Sequence, residues 1–169
     1  MRPSWDETWV LVAEIIALRS QCDGRRIGAI IVSSDNAYTV VGYNGPPAGW
    51  RHDPLTTCRD WCPRLQTGEQ TSDYDNCVTI HAEANALARA DFSRIADGTL
   101  YVSSACCWSC GKMIANSGVS RVVMQVDPKL DAHRDPFRTI RFLEQSGVSV
   151  TIWGESNEAA LQRRRMYEM

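Results

Sequence analysis

The spacing of hydrophobic and polar positions predicts an amphipathic helix near the start of the chain. Between residues 5 and 20, bulky apolar side chains recur every three or four positions, and acidic residues fall between them. The apolar stripe of this predicted helix consists of Trp5, Trp9, Val12 and Ile16. We expect the helix to pack against the rest of the domain through this stripe.

Two runs with strand-like composition follow the helix. Residues 27–32 and 38–43 are separated by Ser-Ser-Asp-Asn at 33–36, which is typical of a turn, so the two runs predict an antiparallel hairpin. From residue 44 to 76 the composition changes to glycine, proline, aspartate, threonine and cysteine, with almost no periodicity. This segment predicts a long ordered loop or a small insertion that needs an internal anchor.

Strand-like and helical patterns alternate in the second half of the chain. Helices are predicted over 81–90, 107–116, 136–146 and 157–167, and strands over 99–103, 121–125 and 148–153. Gly118 and Gly147 fall where the end of a helix favours a left-handed residue. The pattern predicts one α/β domain over residues 1–169, with helices on both faces of a sheet of about five strands.

The charge and hydropathy patterns argue against a membrane and against a long nucleic acid as partner. The 20 acidic and 18 basic residues are spread along the chain and give a net charge of −2. The one obvious basic cluster, residues 163–165, is interpreted as a solvated helix end. No apolar run has the length of a membrane span, and the acidic N-terminal segment does not resemble a signal peptide.

Seven cysteines favour metal ligation over a disulfide framework. The number is odd, and several of these residues lie close to a motif that combines a histidine with an acid. Free or metal-bound thiols are typical of a reducing compartment. We therefore expect a cytoplasmic protein.

Two short motifs at the starts of predicted helices supply the donors for a zinc site. One is His81-Ala82-Glu83, and the other is Cys107-Trp108-Ser109-Cys110. Cys107 and Cys110 are three residues apart, so both sulfurs point the same way and can bind one ion, with His81 as a third ligand. The positive ends of both helix dipoles favour the thiolate form. Three protein ligands leave a fourth position for water, as in catalytic zinc sites.

Glu83 is predicted to move protons in this site. It lies two residues after His81, which directs its carboxylate away from the ligand position but keeps it beside the water. A His-x-Glu motif followed by Pro-Cys-x-x-Cys is the signature of zinc-dependent base deaminases, in which hydroxide adds to C4 of cytosine and ammonia leaves. A structural zinc knuckle would explain the cysteines but not Glu83.

Four stretches resemble a known family. They are Arg-Ile-Gly-Ala-Ile-Ile at 26–31, Gly-Tyr-Asn-Gly at 42–45, His-Ala-Glu-Ala-Asn-Ala at 81–86, and 100–123 with its cysteine pair. Through them the chain resembles the cytidine deaminase superfamily and, within it, the deoxycytidylate (dCMP) deaminases. The resemblance implies a three-layer α/β/α fold around a mixed sheet, and zinc-dependent hydrolysis of dCMP to dUMP and ammonia. It leaves open whether 5-modified cytosines are accepted and whether dCTP and dTTP regulate the activity.

The same resemblance assigns residues to the substrate. It implies that Asn44 binds the sugar, that the substrate is a small nucleotide, and that the protein is a homo-oligomer, specifically a hexamer. The turn before the first strand borders the same pocket, so Arg25 and Arg26 are candidates for binding the phosphate. The alternative for these arginines is that one or both face solvent at a strand end.

The chain departs from the family pattern at one position and leaves four cysteines unassigned. Cys106 replaces the family's proline before the first zinc ligand and is interpreted as a small buried residue. Some viral members carry a second, structural zinc that fixes the long loop, and this resemblance suggests such a site for the remaining cysteines, with His52 as a substitute ligand. These cysteines are Cys22, Cys58, Cys62 and Cys77. The alternative is that they are free buried thiols.

Two further functions remain alternatives. A deaminase acting on tRNA adenosine or on cytosine in single-stranded DNA would use the same chemistry, but it needs a path for a polymer backbone, usually basic and aromatic. The net negative charge of the chain argues against a polymer substrate. A zinc-binding module without catalytic activity is also an alternative, and Glu83 beside an open metal position argues against it.

Overall fold

A five-stranded mixed sheet forms the centre of the computed structural model, which describes residues 2–51, 53, 55–66, 77–131, 135–156, 158–159 and 163. The strands are β1 (Gly28–Val32), β2 (Thr39–Tyr43), β3 (Thr99–Val102), β4 (Arg121–Met124) and β5 (Ser149–Ile152). Their order is β2-β1-β3-β4-β5. Strand β1 pairs antiparallel with β2 and β3, whereas β3, β4 and β5 run parallel to one another. The predicted hairpin and mixed sheet are therefore confirmed.

Helices cover both faces of this sheet. They are α1 (Trp5–Ala17), α2 (Cys58–Trp61), α3 (Pro63–Gln66), α4 (Ala82–Leu87), α5 (Phe92–Ile95), α6 (Trp108–Ala115) and α7 (Pro136–Gln145). Neighbouring residues of β4 show the two layers, because Val123 packs with α1 on one face and Val122 packs with α6 and α7 on the other. The predicted three-layer α/β/α fold is confirmed. In the described parts of the chain, no helix is both long and apolar enough to cross a membrane.

The face that α1 buries matches the predicted stripe only in part, because Trp9 and Val12 pack against the core but are only partly buried. Its buried residues are Val10, Ala13 and Ala17, while Trp5 is 52% exposed. The reason is close packing of the helix on β1: a Cβ added at Gly28 would lie 2.0 Å from the carbonyl oxygen of Ala13. Only small side chains fit where the helix backbone rests directly on the sheet, so the alanines face inward. The prediction gave too much weight to the large apolar residues.

The long segment after β2 contains two short helices that the sequence did not predict. Helices α2 and α3 form where the composition showed no periodicity, and α5 was likewise not predicted. The first of these helices is anchored to the turn before β1, because the Cys58 N–H donates to Gln21 O at 3.2 Å and the Arg59 N–H donates to the Asp23 carboxylate at 3.0 Å. His52, residues 67–76 and most of the predicted helix 157–167 lie outside the described residues.

Candidate active site

Helix α4 carries His81 and Glu83 into the site, and a glycine in β2 fixes its position. A Cβ added at Gly42 would lie 2.2 Å from the carbonyl oxygen of Ala82, so the start of α4 lies directly on the strand. Gly45 and Ile80 exchange backbone hydrogen bonds of 3.1 and 2.9 Å, which holds the segment before the helix next to the end of β2. His81 is the N-cap residue and Glu83 is the second residue of the helix.

Helix α6 brings the cysteine pair to the same point. Cys107 is its N-cap residue, with an extended backbone, rather than its first helical residue as predicted, and Cys110 is the third residue of the helix. The Nδ1 atom of His81 lies 3.3 Å from the sulfur of Cys107 and 3.4 Å from that of Cys110. Within the described part of the chain, these three residues form the group of potential metal ligands whose donor atoms all lie within 4.8 Å of one another.

The geometry and chemistry of this group fit a zinc ion. Zinc lies about 2.0 Å from a nitrogen ligand and about 2.3 Å from a sulfur ligand, so a tetrahedral angle places nitrogen and sulfur about 3.5 Å apart. The observed distances of 3.3 and 3.4 Å are close to this value. Two sulfur donors and an imidazole nitrogen are also a donor set that zinc prefers.

The two cysteines differ in the ease with which they ionise. The hydrogen bond from Cys110 lowers the pKa of Cys107 to about 3, and His81 adds to this effect although burial opposes it. The same hydrogen bond raises the pKa of Cys110 far above its usual range, as do burial and the nearby charge of Glu83. The protein alone therefore stabilises one thiolate, and a cation is needed to ionise both. Glu83 is only 3% exposed, and its effect on Cys110 places its charge near the ligand group.

A cavity of about 280 Å³ opens beside His81 and is also lined by Asn44, Arg25 and Arg64. The side chain of Asn44 is held rigidly, because its Oδ1 accepts from the Ile27 N–H at 2.7 Å and its Nδ2 donates to Arg25 O at 2.9 Å. The predicted sugar-binding residue thus lies in the same cavity as the histidine, with a fixed orientation.

The two predicted phosphate-binding arginines occupy different environments. Arg25 lines the cavity, and its Nη1 donates to the carboxylate of Asp131, whose side chain is fully buried. Arg26 is exposed and is not one of the residues that line this cavity. The structure therefore brings Arg25, but not Arg26, together with His81 and Asn44.

Comparison with known families agrees with this arrangement. The family model described as the cytidine and deoxycytidylate deaminase zinc-binding region matches residues 3–126. The chain belongs to this family.

Individual members of the deaminase family match most of the chain. The deoxycytidylate deaminase of Mycobacterium phage D29 is 41% identical over 128 residues, which are 72% of this chain and 94% of the relative. That of Saccharomyces cerevisiae is 35% identical over 152 residues, 89% of this chain but only 45% of the yeast protein. The dCMP deaminase of cyanophage S-TIM5, solved in complex with dCMP and dUMP, has a TM-score of 0.61 at 26% identity and covers 90% of this chain and 98% of its own.

The chain's departure from the deaminase pattern before Cys107 lies in the core. Cys106 is completely buried and packs in the apolar cluster between the sheet and helices α4, α6 and α7, as predicted. The absence of proline leaves the N-cap geometry of α6 intact.

The four remaining cysteines all line the cavity, but they do not form one compact ligand group among the described residues. The sulfurs of Cys62 and Cys77 lie 3.7 Å apart. The Cys58 sulfur accepts from the Asp23 N–H at 3.2 Å, and Cys22 is its neighbouring thiol. Burial raises the pKa of Cys58 to about 11 and also raises the pKa of Cys77. The thiols are thus arranged as two pairs along the cavity wall.

Sequence reasoning missed two residues near the cavity. Asp131, which holds Arg25, lies in a turn after β4 where an aspartate has no distinguishing pattern. Arg64 lies in α3, inside the segment without periodicity. Asp131 is distant in the sequence from Arg25, and Arg64 is distant from His81, so no local pattern identifies either residue.

Proposed function

We propose that this chain is a deoxycytidylate deaminase, which hydrolyses dCMP to dUMP and ammonia. One observation supports the proposal most strongly: the donor atoms of His81, Cys107 and Cys110 lie close together at the starts of two helices. Buried Glu83 and a cavity lined by Asn44 lie beside this group. The names of the phage and yeast relatives, and the cyanophage complex with dCMP and dUMP, support this choice of substrate.

His81, Cys107 and Cys110 would hold the zinc ion that the family name implies. When bound, zinc supplies Lewis-acid activation of water. The protein provides the proton transfer through Glu83, whose buried carboxylate is shielded from bulk solvent.

The reaction adds one water and releases one ammonia. A bond forms between the water oxygen and C4 of the cytosine ring, and the bond between C4 and the amino nitrogen breaks. Glu83 accepts a proton from the water and passes it to N3. It then accepts the second proton, from the hydroxyl group now on C4, and transfers it to the departing amine. Because the carboxylate both accepts and donates, it returns to its starting state after each turnover.

Asn44 and Arg25 orient the nucleotide in this proposal. The rigid amide of Asn44 contacts the sugar and sets its distance from His81, while the guanidinium of Arg25 contacts the phosphate. Asp131 holds Arg25 at the cavity wall, so the arginine loses little conformational freedom when the substrate binds.

Three finer predictions belong to the same proposal. We propose a second, structural zinc that would bring the two thiol pairs together, Cys62 with Cys77 and Cys22 with Cys58, and tie the long loop to the turn before β1. We also propose a homo-oligomer, specifically a hexamer, and a cytoplasmic location. Metal analysis, light scattering and cell fractionation test these three points separately.

A substrate panel tests the proposed function. Ammonia release is measured with dCMP, dCTP, cytidine, deoxycytidine, 5-methyl-dCMP, 5-hydroxymethyl-dCMP and single-stranded DNA. We expect the highest kcat/KM among the unmodified substrates for dCMP. A higher value for deoxycytidine or for single-stranded DNA would refute the nucleotide assignment.

A further inference from the structure

The outer face of α1 carries an apolar stripe that the fold leaves exposed. The stripe consists of Leu11, Ile15 and Leu18, whose exposed fractions lie between 56% and 68%. Successive spacings of four and three residues place these side chains on one side of the helix. The residues that pack on the sheet lie on the opposite side. The helix is therefore apolar on two faces, of which the sheet covers only one.

The substrate cavity does not explain this stripe. None of the residues that line the cavity belongs to α1. Trp5 extends the apolar surface at the N-terminal end of the helix, where its ring stacks on that of Trp9 with the centroids 5.6 Å apart. A monomeric protein seldom exposes several large apolar side chains side by side, and such a patch usually marks a contact with another surface.

The spacing and the residue types of the stripe are typical of a two-stranded coiled coil. The same spacings continue backward to Thr8 and Ser4, so the stripe follows a heptad in which Thr8 and Ile15 occupy position a. Ser4, Leu11 and Leu18 occupy position d. A β-branched residue at a with leucine at d favours two parallel helices. The pattern therefore points to a second helix of the same kind, which a second copy of this chain supplies.

The charged residues beside the stripe are complementary across such a pair. Glu14 occupies position g, and Arg19 occupies position e of the following heptad. In a parallel pair of helices these two positions lie next to each other across the contact. Within the chain Glu14 accepts a hydrogen bond from the neutral side chain of Gln125 at 2.5 Å, and among the described residues Arg19 is in no ion pair. Both charges are therefore available to a partner subunit.

We propose that the outer face of α1 is an interface between copies of this chain. The stripes of two copies pack in parallel across a twofold axis, and Glu14 of each copy pairs with the partner's Arg19. Such a surface is self-complementary, because each side chain of the stripe meets its own counterpart. The inference rests on the homo-oligomer in the proposed function and assigns its interface, but it does not depend on the substrate.

The experiment compares the mass of the full chain loaded with zinc with that of five variants, by sedimentation at several concentrations. Ile15→Asp places a carboxylate in the middle of the stripe, and Leu55→Asp is the matched control, because Leu55 is 91% exposed and lies outside α1. Glu14→Arg, Arg19→Glu and the double variant test the charge pair. Circular dichroism checks that each variant is folded, and ammonia release from dCMP is measured on the same samples.

We expect the unaltered protein and Leu55→Asp to have a mass that is an even multiple of the chain mass. Ile15→Asp should raise the dissociation constant by about 100-fold or more, because it buries an unpaired charge in an apolar contact. Glu14→Arg and Arg19→Glu should each raise it by about fivefold, since like charges then face each other. The double variant should return to within about twofold, because the pair is restored with its charges exchanged.

Three results would overturn the assignment of this interface. A monomeric unaltered protein would refute the homo-oligomer together with the interface. An oligomer of the same mass and dissociation constant in Ile15→Asp as in Leu55→Asp would refute the interface alone. A double variant as weak as the single variants would refute the parallel arrangement, since an antiparallel pair places g beside g and e beside e. Absence of ammonia release from the unaltered protein would refute the deaminase proposal and leave the assembly result unchanged.

Discussion

Replacing Glu83 by glutamine separates proton transfer from metal binding. Glutamine has nearly the same size and fits the buried position, which is 3% exposed, but it can neither accept nor donate the proton. A positioned general acid and base contributes about 10²- to 10⁴-fold to the rate. We therefore expect kcat to fall by this factor, which corresponds to about 3–5 kcal/mol of lost transition-state stabilisation.

The metal should remain bound in Glu83→Gln. The charge of Glu83 contributes to the raised pKa of Cys110, after the hydrogen bond with Cys107 and burial. Removing that charge makes the Cys110 thiol easier to ionise, and a thiolate is the form that binds zinc. The variant should therefore contain as much zinc as the unaltered protein, although it is nearly inactive.

The assay combines ammonia release from dCMP with zinc content by atomic absorption. Glu158→Gln is a matched control, because this glutamate is exposed and should change neither quantity. Turnover within about tenfold of the unaltered protein would refute the role of Glu83 in proton transfer. Loss of zinc together with activity would show instead that the carboxylate supports the metal site.

The remaining predictions concern the metal ions and the attachment of α1. Cys110→Ala should lose the catalytic zinc and the activity together, whereas Cys106→Ala should keep both; metal analysis and ammonia release check this pair. The purified protein should contain about two zinc ions per chain, and Cys62→Ser about one, with lower stability. A measured content of about one zinc ion per chain in the unaltered protein would contradict the second zinc site. Asp6→Asn should lower the free energy of unfolding by about 0.5–1 kcal/mol near pH 7, because Asp6 forms a two-point, partly exposed ion pair with Arg121. The hydrogen bond from Arg121 lowers the pKa of Asp6, so this contribution is present above about pH 4 and is lost as the pH falls through the lowered value. Urea unfolding should show a smaller difference between the two proteins at pH 3 than at pH 7.

The sheet and the ligand group could be predicted because their signals are local. Each strand shows its apolar run, and the ligands lie in two motifs of three and four residues at helix starts. The buried face of α1 could not be predicted in the same way. It depends on the contact with Gly28, which is more than ten residues away, and hydrophobic periodicity alone does not show where a helix backbone touches a strand.

The cavity wall was the hardest part to predict, for a physical reason that bears on function. Its charged residues, Arg25, Arg64 and the supporting Asp131, come from three loops or short helices that pack together without any repeating pattern. The chemistry at C4 requires a fixed set of ligands and a proton carrier, so it leaves a compact motif in the sequence. Recognition of a phosphate requires only positive charge within reach, which many positions can supply. The metal site can therefore be predicted from the sequence, whereas the residues of the cavity wall come together only in the folded chain.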